Sequence, residues 1–314
     1  MKILVTGASG FIGRSLIDEL HELEAFEVVG VRRNLNLDIN SAVQWVVISG
    51  IGGRTDWSIA LQGVDVVIHL AAMAHCIGGA SPDAESGFFS VNSHGTVNLA
   101  KQAAAAGVKR LVFISSIGVN GNINTQPFSA DDPPKPIEPY SQSKWEAEQG
   151  LWQVKQETDM EIVIIRPPLV YGSDAPGNFG SLLRWVSSGV PLPLGAIHNK
   201  RSLVGIDNLV DLIVRCIDHP AAANQVFLAG DGEDLSTTEL LRGVAEAMGR
   251  PARLIPVPAA LLSLGATLLG RRAVAQRLLG SLQVDISKAR ELLGWEPPVS
   301  VKEGLRRCVR DSSV

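Results

Sequence analysis

Short runs rich in valine and isoleucine recur through the first half of the chain, and stretches with helical spacing separate several of them. Because these runs are apolar throughout, they are typical of strands buried on both faces of a sheet. The runs are KILVTG (2–7), FEVVGVR (26–32), VQWVVIS (43–49), DVVIHLA (65–71), RLVFISS (110–116) and EIVIIRP (161–167). The helical stretches are 11–23, 92–107 and 141–158. This alternation predicts an α/β fold with a doubly wound parallel sheet and right-handed crossovers.

A glycine-rich turn joins the first predicted strand to the first predicted helix. The sequence LVTGASGFIGRSL places Gly7, Gly10 and Gly13 in this turn. Gly7 permits a tight turn, Gly10 lets the backbone approach a pyrophosphate, and Gly13 lets helix and strand pack closely. The free N–H groups and the positive dipole at the start of the helix favour phosphate. We therefore predict a Rossmann-type dinucleotide-binding turn, with Phe11 and Ile12 among its contacts.

The amino-acid composition changes after about residue 167, where proline and glycine become frequent. Such segments are typical of loops around a cleft, and further helices and an apolar run at 225–230 follow them. We predict an NAD(P)-binding domain over 1–170, to which parts of 203–230 return. We predict that 171–314 form mainly a smaller C-terminal substrate-binding lobe, with ligands bound between the two.

A tyrosine and a lysine stand four residues apart on a predicted helix, in the sequence PYSQSKWEAE. Residues at this spacing lie on one helix face, so Tyr140 and Lys144 are neighbours. An ammonium group beside a phenol stabilises the phenolate, and Lys144 is therefore expected to lower the pKa of Tyr140 toward neutrality. An oxidised nicotinamide, which is also cationic, would act in the same direction. Tyr140 would then transfer protons at a pH of about 7.

Two serines end the strand predicted over 110–116. The carboxyl ends of parallel strands are where α/β sheets present ligand-binding residues. The hydroxyl of Ser116 can hydrogen-bond the substrate oxygen on which Tyr140 acts, and Ser115 is the alternative for that role. The expected catalytic set is Ser116, Tyr140 and Lys144.

Several motifs together resemble the extended short-chain dehydrogenase/reductase family, which includes nucleotide-sugar epimerases, dehydratases and ketoreductases. The motifs are TGASGFIG, HLAA (69–72), SSIGVNG (115–121), YSQSK (140–144), RPPLVYG (166–172) and LGWEPPVSVKEGL (293–305). They extend over essentially the whole chain. The resemblance implies an NAD(P)-dependent enzyme that acts on a nucleotide sugar such as a UDP-sugar. It also implies a homodimer formed through the helices at 92–107 and 141–158.

The resemblance further implies roles for individual residues. Tyr140 is the implied general acid/base, Lys144 sets its pKa and contacts the ribose, and Ser116 binds the substrate oxygen. The implied cofactor contacts beyond the glycine turn are Leu70, Ala71, Ala72, Ser115, Tyr140, Lys144 and Pro167. The implied substrate contacts are Ser116, Asn178, Arg201 and one of Arg271 and Arg272, since guanidinium groups suit a pyrophosphate. Asn120 stands where relatives often carry a tyrosine.

The second strand ends in Arg32 and Arg33, about twenty residues after Gly13, where the residue that selects the cofactor is expected. A carboxylate at this point binds the ribose 2′-hydroxyl of NAD, whereas an arginine accommodates the 2′-phosphate of NADP. The next acid is Asp38. The pair favours NADP(H). NAD(H) stays open, because both arginines can simply solvate the end of the strand.

Two reactions share the predicted site. A 4-ketoreductase consumes NADH or NADPH, whereas a 4-epimerase regenerates its NAD in every cycle and can keep it bound. The arginine pair favours NAD(P)H-dependent reduction. The second half of the chain resembles bacterial reductases of UDP-4-keto-6-deoxy-N-acetylhexosamines. Those reductases are UDP-N-acetylquinovosamine dehydrogenase-like enzymes of surface polysaccharide biosynthesis. The alternatives are a UDP-glucose or UDP-N-acetylglucosamine 4-epimerase and, more distantly, a non-enzymatic NAD(P)-sensing protein. Proteins of the last kind typically lack the tyrosine–lysine pair.

Composition argues against several other classes. The hydrophobic content of 46% and the charged content of 19% are those of a soluble globular protein, and a net charge of -4 does not suggest nucleic-acid binding. Three scattered cysteines predict reduced thiols in the cytoplasm, and six histidines without ligand spacing predict no metal site. The apolar run at 254–270 is shorter than the roughly 20 residues of a membrane span. It predicts a buried or interfacial helix, with a weaker case for membrane-surface contact beside Arg271 and Arg272.

Overall fold

The computed structural model describes residues 1–33, 43–74 and 82–310. Its strands are β1 (Lys2–Thr6), β2 (Glu27–Arg32), β3 (Gln44–Val47), β4 (Val66–His69), β5 (Arg110–Ile114), β6 (Glu161–Arg166), β7 (Leu169–Tyr171), β8 (Arg201–Gly205), β9 (Gln225–Leu228) and β10 (Asp234–Leu235). A seven-stranded sheet has the order β3-β2-β1-β4-β5-β6-β9, and its neighbouring strands are all parallel. The order reverses between β1 and β4, as in doubly wound sheets. The predicted α/β, Rossmann-type fold is confirmed.

Helices cover both faces of this sheet. The α-helices of the described residues are α1 (Phe11–Glu22), α2 (Pro82–Phe88), α3 (Gly95–Ala105), α4 (Pro139–Glu157), α5 (Asn178–Ser188), α6 (Ile206–Asp218), α7 (Thr237–Ala247), α8 (Ala259–Leu268), α9 (Arg272–Leu279), α10 (Ser287–Leu293) and α11 (Val301–Arg310). The apolar faces of α1 and α6 pack on one side of the sheet, and those of α3 and α4 pack on the other. In β1, Ile3 and Val5 join the first of these cores while Leu4 joins the second, which explains why the strand is apolar throughout.

The helix expected over 92–107 has two parts. A π-helical turn covers Phe89–His94, and the regular helix α3 follows it and ends at Ala105. Gly107 then adopts a φ of +82°, which ends the helix as predicted because glycine tolerates this conformation. The π turn is wider than an α turn and often marks functional positions. It carries the buried Asn92, which contacts the site described below.

A second, three-stranded sheet has the order β10-β8-β7. It packs with α5, α7 and α11 around a separate apolar core that contains Phe179, Leu241 and Leu305. Phe11, the first residue of α1, packs against both this core and the core of the large sheet. The glycine turn therefore lies where the two cores meet, which is the region where a ligand was expected.

The expectation for the apolar run at 254–270 was a buried or interfacial helix, and the buried alternative is wrong. The run contains α8, and no residue of α8 is buried. Within the part of the chain that the structure describes, none of the helices has the length and apolar character needed to cross a bilayer.

Candidate functional site

The glycine turn lies against the loop that follows β4. Gly7 has a φ of +70°, and a Cβ atom at this position would lie 2.7 Å from the backbone nitrogen of Ala71. Gly10 precedes the first residue of α1, and no side chain caps this helix end. The N–H groups of the first turn are thus available to a ligand, which is the arrangement that binds phosphate. The structure brings the predicted glycine turn and the predicted Leu70–Ala72 segment together.

We predict that Gly13→Ala disrupts this turn. Its Cβ would lie 2.2 Å from the carbonyl oxygen of Gly7 and 2.7 Å from the Cα of Ala8, so backbone must move. Overpacking of this kind costs about 1–3 kcal/mol, and the displaced turn should also bind the dinucleotide more weakly. Urea unfolding and cofactor titration measure the two effects. Gly265→Ala is the matched control, since a Cβ there meets nothing within 4 Å. A Gly13→Ala protein as stable as that control would contradict the prediction.

Tyr140 and Lys144 lie in the first turns of α4, as the spacing predicted. The ring of Tyr140 packs edge-on against Phe88, with 6.0 Å between the ring centroids. Lys144 is buried, its Nζ donates a hydrogen bond of 2.7 Å to the carbonyl oxygen of Ile114, and it stands 4.3 Å from the ring centroid of Phe113. The lysine is therefore held in one place by a strand end and an aromatic ring.

The expected lowering of the tyrosine pKa is not found. Burial raises the pKa of Tyr140 to about 12. Burial also lowers the pKa of Lys144 to about 7, although the charge of Glu148 opposes this shift. A lysine that is only partly charged near pH 7 stabilises a phenolate weakly, and its ammonium donates to a carbonyl oxygen. Spacing along the helix correctly predicted that Tyr140 and Lys144 share a helix face. It did not predict the pKa of Tyr140, because that value depends on burial as well as on the charge of the lysine.

The two serines at the end of β5 have different partners. The hydroxyl of Ser115 donates a hydrogen bond of 2.5 Å to Glu148 and is buried. Ser116 instead begins a short 3-10 turn over Ile117–Val119, and its Oγ accepts the N–H of Gly118 at 3.1 Å. Its own proton can still be donated to a ligand. Of the two alternatives, the geometry favours Ser116 as the serine that binds a substrate oxygen.

The first turn of α4 lies close to Ser116. A Cβ atom added to Gly118 would come within 2.3 Å of the Oγ of Ser141 and within 3.4 Å of the Oγ of Ser116. Ser141 follows Tyr140 directly, so the backbone turn that carries Tyr140 lies beside the turn that carries Ser116. Pro167 is adjacent as well, because its carbonyl oxygen accepts the N–H of Ile117 at 3.0 Å.

A buried ion pair lies beneath these residues, and the sequence analysis missed it. Glu148 and Arg166 are joined by Nη2–Oε2 and Nε–Oε1 contacts of 2.5 and 3.0 Å. Their side chains are 0% and 3% exposed. Arg166 also donates to Oδ1 of Asn120 at 2.9 Å, so this buried asparagine has a charged partner. The pair connects the helix of Lys144, the strand end at Ser115 and the residue before Pro167.

A second buried network fixes His69 at the end of β4. Its Nδ1 lies 2.6 Å from the hydroxyl of Thr6, and its Nε2 lies 2.9 Å from that of Thr96. The Thr96 hydroxyl donates to the carbonyl of Asn92, so it accepts from Nε2, and Nδ1 accepts from Thr6. Burial, with the charge of Lys144 as a second cause, lowers the pKa of His69 to about 3. The ring is thus neutral and structural.

Asn92 links the loop after β4 to α4, the helix that carries Tyr140 and Lys144. Its side chain accepts the N–H of Met73 at 2.7 Å, donates to the carbonyl of Met73 at 3.0 Å, and donates to Ser143 at 3.1 Å. The hydroxyl of Ser143 in turn donates to the carbonyl of Tyr140. The sequence did not single out this connection, because Asn92 is one of several polar residues in the stretch 92–107.

Arg32 ends β2 at the carboxyl edge of the sheet, as predicted. Its guanidinium carbon lies 5.1 Å from the centroid of the Trp45 ring, and its buried Nε has no hydrogen-bond partner among the described residues. Arg33 follows it and is exposed. Asp38, the next acid along the chain, lies outside the described residues.

The predicted substrate residues are spread more widely. Nη1 of Arg201 donates to the carbonyl oxygens of Arg277 and Gly280 at 2.9 and 3.1 Å, and burial lowers the pKa of this arginine. Asn178 is the first residue of α5. Arg271 and Arg272 are exposed, and their side chains bond to none of the described residues. The structure therefore does not bring Arg271 or Arg272 into contact with Ser116, Tyr140 or Lys144.

A cavity of about 740 Å³ lies elsewhere, at the amino ends of the strands, and is lined by residues that include Lys109, Arg110 and Glu161. Doubly wound sheets bind their ligands at the opposite, carboxyl edge. The site of interest is therefore the carboxyl edge, where the glycine turn follows β1, Ser116 follows β5 and α4 begins with Tyr140 in its first turn.

Fold and site together define a class of protein: an α/β protein of the Rossmann type with a glycine-rich turn after its first strand and a tyrosine, a lysine and a serine at the carboxyl edge of its sheet. Residues 3–230 match the model of a family described as the NAD dependent epimerase/dehydratase family. The chain belongs to the NAD dependent epimerase/dehydratase family and is an enzyme of that family. The family-level resemblance inferred from the motifs is confirmed.

Individual relatives are similar over almost their whole length. A Vibrio cholerae protein named UDP-glucose 4-epimerase is 46% identical over 97% of this chain and 93% of its own. An Escherichia coli O157:H7 protein named N-acetyl-alpha-D-glucosaminyl-diphospho-ditrans,octacis-undecaprenol 4-epimerase is 29% identical over 98% and 94%. Among solved structures, UDP-glucuronic acid 4-epimerase from Bacillus cereus, in complex with UDP-glucuronic acid and NAD, matches with a TM-score of 0.81 at 25% identity, over 99% of this chain and 98% of that one.

Proposed function

We propose that the protein is a 4-epimerase of a UDP-sugar that keeps NAD bound through its catalytic cycle. The observation that carries this proposal is the 46% identity, over 97% of the chain, with a protein named UDP-glucose 4-epimerase. The tyrosine, lysine and serine of the site supply the acid–base chemistry that such a reaction needs. The sequence analysis ranked this reaction behind the reductase, and the similarity reverses that order.

The residues around the glycine turn fit a dinucleotide. The backbone of Gly7, Gly10 and Gly13 and the uncapped start of α1 would hold the pyrophosphate, because no side chain stands between these backbone groups and a ligand. Lys144 would contact the ribose, and Pro167 would border the nicotinamide. When bound, NAD supplies the chemistry of accepting the hydrogen of the sugar C4 as hydride and returning it to the opposite face.

The protein's own side chains would transfer and hold the proton of the sugar 4-hydroxyl. The Oη of Tyr140 takes the proton of the sugar 4-hydroxyl and later returns it. Ser116 donates a hydrogen bond to the same oxygen, because its Oγ already accepts the N–H of Gly118 and its own proton remains free. Lys144 is fixed by the Ile114 carbonyl and places positive charge near the phenol whenever its amine is protonated.

A second candidate function is the 4-ketoreductase that uses NADPH. The observation in its favour is Arg32, whose guanidinium is stacked on Trp45 at the end of β2 with a buried, unpartnered Nε among the described residues. A 2′-phosphate would provide an acceptor for such a group. Trp45 also packs across Gly30, where a Cβ would lie 2.6 Å from its ring, so the arginine stands on a fixed aromatic surface.

The group that carries the sugar is a separate choice. The Vibrio cholerae relative is named for a sugar on UDP, and the Escherichia coli relative is named for a sugar on an undecaprenyl diphosphate. Both carriers contain a diphosphate. We propose the UDP-sugar as the substrate, and the lipid-linked sugar is the alternative to be assayed beside it.

A cofactor assay tests the proposed reaction. We expect NAD to co-purify with the protein, to be identified by mass spectrometry, and to stay bound after dialysis. Interconversion of UDP-glucose and UDP-galactose, or of their N-acetylated forms, should then proceed without added cofactor. If the protein binds no NAD and instead consumes NADPH with a UDP-4-keto sugar, the epimerase proposal is wrong and the reductase is supported.

Arg32→Gln distinguishes the two candidate functions by its effect on cofactor binding. For an NAD-retaining epimerase, we expect the retained NAD to stay within about twofold, because no phosphate depends on the guanidinium. If the protein binds a 2′-phosphate, losing a charged hydrogen bond worth about 1.5–3 kcal/mol should weaken NADPH binding by roughly tenfold or more. Titration with NADPH and NADH measures the difference. Arg242→Gln, which removes an exposed arginine of α7, is the charge-matched control.

A further inference from the structure

Helix α8 presents apolar side chains to solvent. Leu261, Leu264 and Leu268 are 60%, 60% and 79% exposed, and Leu269, which follows the helix, is 76% exposed. The first three are spaced by three and four residues, so they form a stripe along one helix face. Inward contacts of α8 are made by Ala259 and Leu262, which pack against the core of the smaller lobe. An ordinary surface helix turns its apolar stripe toward the core, whereas this stripe faces outward.

The charged residues along this segment of the sequence are all of one sign. The segment from 247 to 284 contains Arg250, Arg253, Arg271, Arg272 and Arg277 but no aspartate or glutamate, in a chain whose net charge is -4. Arg250 and Arg253 donate to the backbone carbonyls of Ser187 and Gly189, which do not neutralise their charge. Positive charge and exposed leucine therefore occur together on a protein that is acidic elsewhere.

We propose that this surface binds an anionic lipid bilayer. We call it the α8 face and define it by Leu261, Leu264, Leu268, Leu269, Arg271 and Arg272. The leucines would enter the boundary between headgroups and acyl chains, and the exposed arginines would bind the lipid phosphates. The ten-residue α8 would lie in the plane of the membrane, because it is too short to cross it.

A second copy of the chain fits the α8 face less well. In a twofold-symmetric dimer the same surface patch meets itself. Arg271 and Arg272 would then face their own counterparts, and the segment offers no carboxylate to neutralise them. A bilayer with anionic headgroups supplies an apolar layer for the leucines and negative charge for the arginines.

The α8 face is connected to the candidate site through α9. Arg277 of α9 forms an ion pair of 2.8 Å with Glu138, which stands two residues before Tyr140. The carbonyl groups of Arg277 and Gly280 accept hydrogen bonds from Arg201. A membrane at the α8 face would therefore lie on the side of the smaller lobe that reaches the catalytic turn. The inference does not depend on the proposed reaction, because lipid binding is measured without substrate.

Vesicle co-sedimentation of the purified full-length protein tests the proposal. We expect binding to vesicles of phosphatidylglycerol and phosphatidylcholine that weakens as salt is added, and far weaker binding to pure phosphatidylcholine. Leu264→Glu combined with Leu268→Glu should reduce the partition coefficient by roughly tenfold or more. The matched control is Leu23→Glu combined with Ile59→Glu, which makes the same charge change at apolar residues 44% and 72% exposed on the large domain. This control should bind as the wild type does.

Three results would overturn the proposal. One is a wild-type protein that ignores phosphatidylglycerol at low salt, which needs no variant to interpret. Another is equal loss of binding in the α8 double variant and in its control. The third is sedimentation velocity in which the α8 double variant is a monomer and the wild type is a dimer that does not bind vesicles, which would assign the α8 face to a second copy.

Arg271→Gln with Arg272→Gln should also weaken vesicle binding by about tenfold. A raised KM for a soluble UDP-sugar with unchanged vesicle binding would instead assign the arginines to the substrate.

Discussion

Replacing Tyr140 with phenylalanine should lower kcat by about 10³-fold and leave the bound cofactor in place, because positioned general acid–base groups contribute roughly 10²–10⁴-fold to rates. The substitution removes only the hydroxyl. The aromatic contact with Phe88, at 6.0 Å between ring centroids, remains available to phenylalanine. Steady-state kinetics with a UDP-sugar and the ratio of NAD to protein after purification provide the two measurements.

The pH dependence of the wild-type reaction adds a second readout. Burial raises the pKa of Tyr140 to about 12, so the phenol is protonated at neutral pH unless positive charge acts on it. Oxidation of the sugar needs the phenolate, and its rate should therefore rise with pH until the effective pKa of the tyrosine is passed. In the proposed complex, positive charge on Lys144 and on an oxidised nicotinamide would lower that pKa and move the limb toward neutral pH.

The control for this prediction is Lys144→Met, which removes the charge and keeps the phenol. It should move the rising limb to higher pH, whereas Tyr140→Phe should flatten it. If Tyr140→Phe retains more than about a tenth of the wild-type kcat, another group transfers the proton and the role assigned to Tyr140 is wrong.

The sequence predicted the parts of this protein that depend on neighbours along the chain. Strands such as β5 are buried along their whole length, and a strand buried in this way has a largely continuous apolar sequence. The tight turn at Gly7 and the shared helix face of Tyr140 and Lys144 also follow from local geometry. For these residues, spacing is sufficient because strand and helix periods fix the direction of each side chain.

The features that were missed depend on residues far apart in the sequence. Glu148 and Arg166 are 18 residues apart, and His69 and Thr6 are 63 apart. Neither pair has a spacing that would identify it. The sequence left a buried and an interfacial helix open for α8 for a related reason: an apolar helix has the same sequence whether its leucines face a core or solvent. The pKa of Tyr140 was misjudged because it depends on burial as well as on the neighbouring charge.

The buried ion pair should have the largest effect on stability. Arg166→Met should cost about 3–5 kcal/mol of unfolding free energy, because it leaves the fully buried carboxylate of Glu148 without its partner. The same change removes the donor to Asn120 and loosens the strand end that precedes Pro167. Urea unfolding followed by circular dichroism measures the loss. Lys302→Met, which breaks the exposed contact with Glu246, is the control and should leave the transition unchanged.

Adding Glu148→Leu to Arg166→Met separates stability from catalysis. The double variant replaces the pair with apolar groups and should recover most of the lost stability, because no buried charge is left alone. It should not recover activity, since the hydroxyl of Ser115 has lost its acceptor and Lys144 has lost the negative charge that raises its pKa. With the lysine less often charged, the rising limb of the pH profile should move to higher pH. A double variant with wild-type kinetics and an unmoved pH profile would show that the pair only supports the fold.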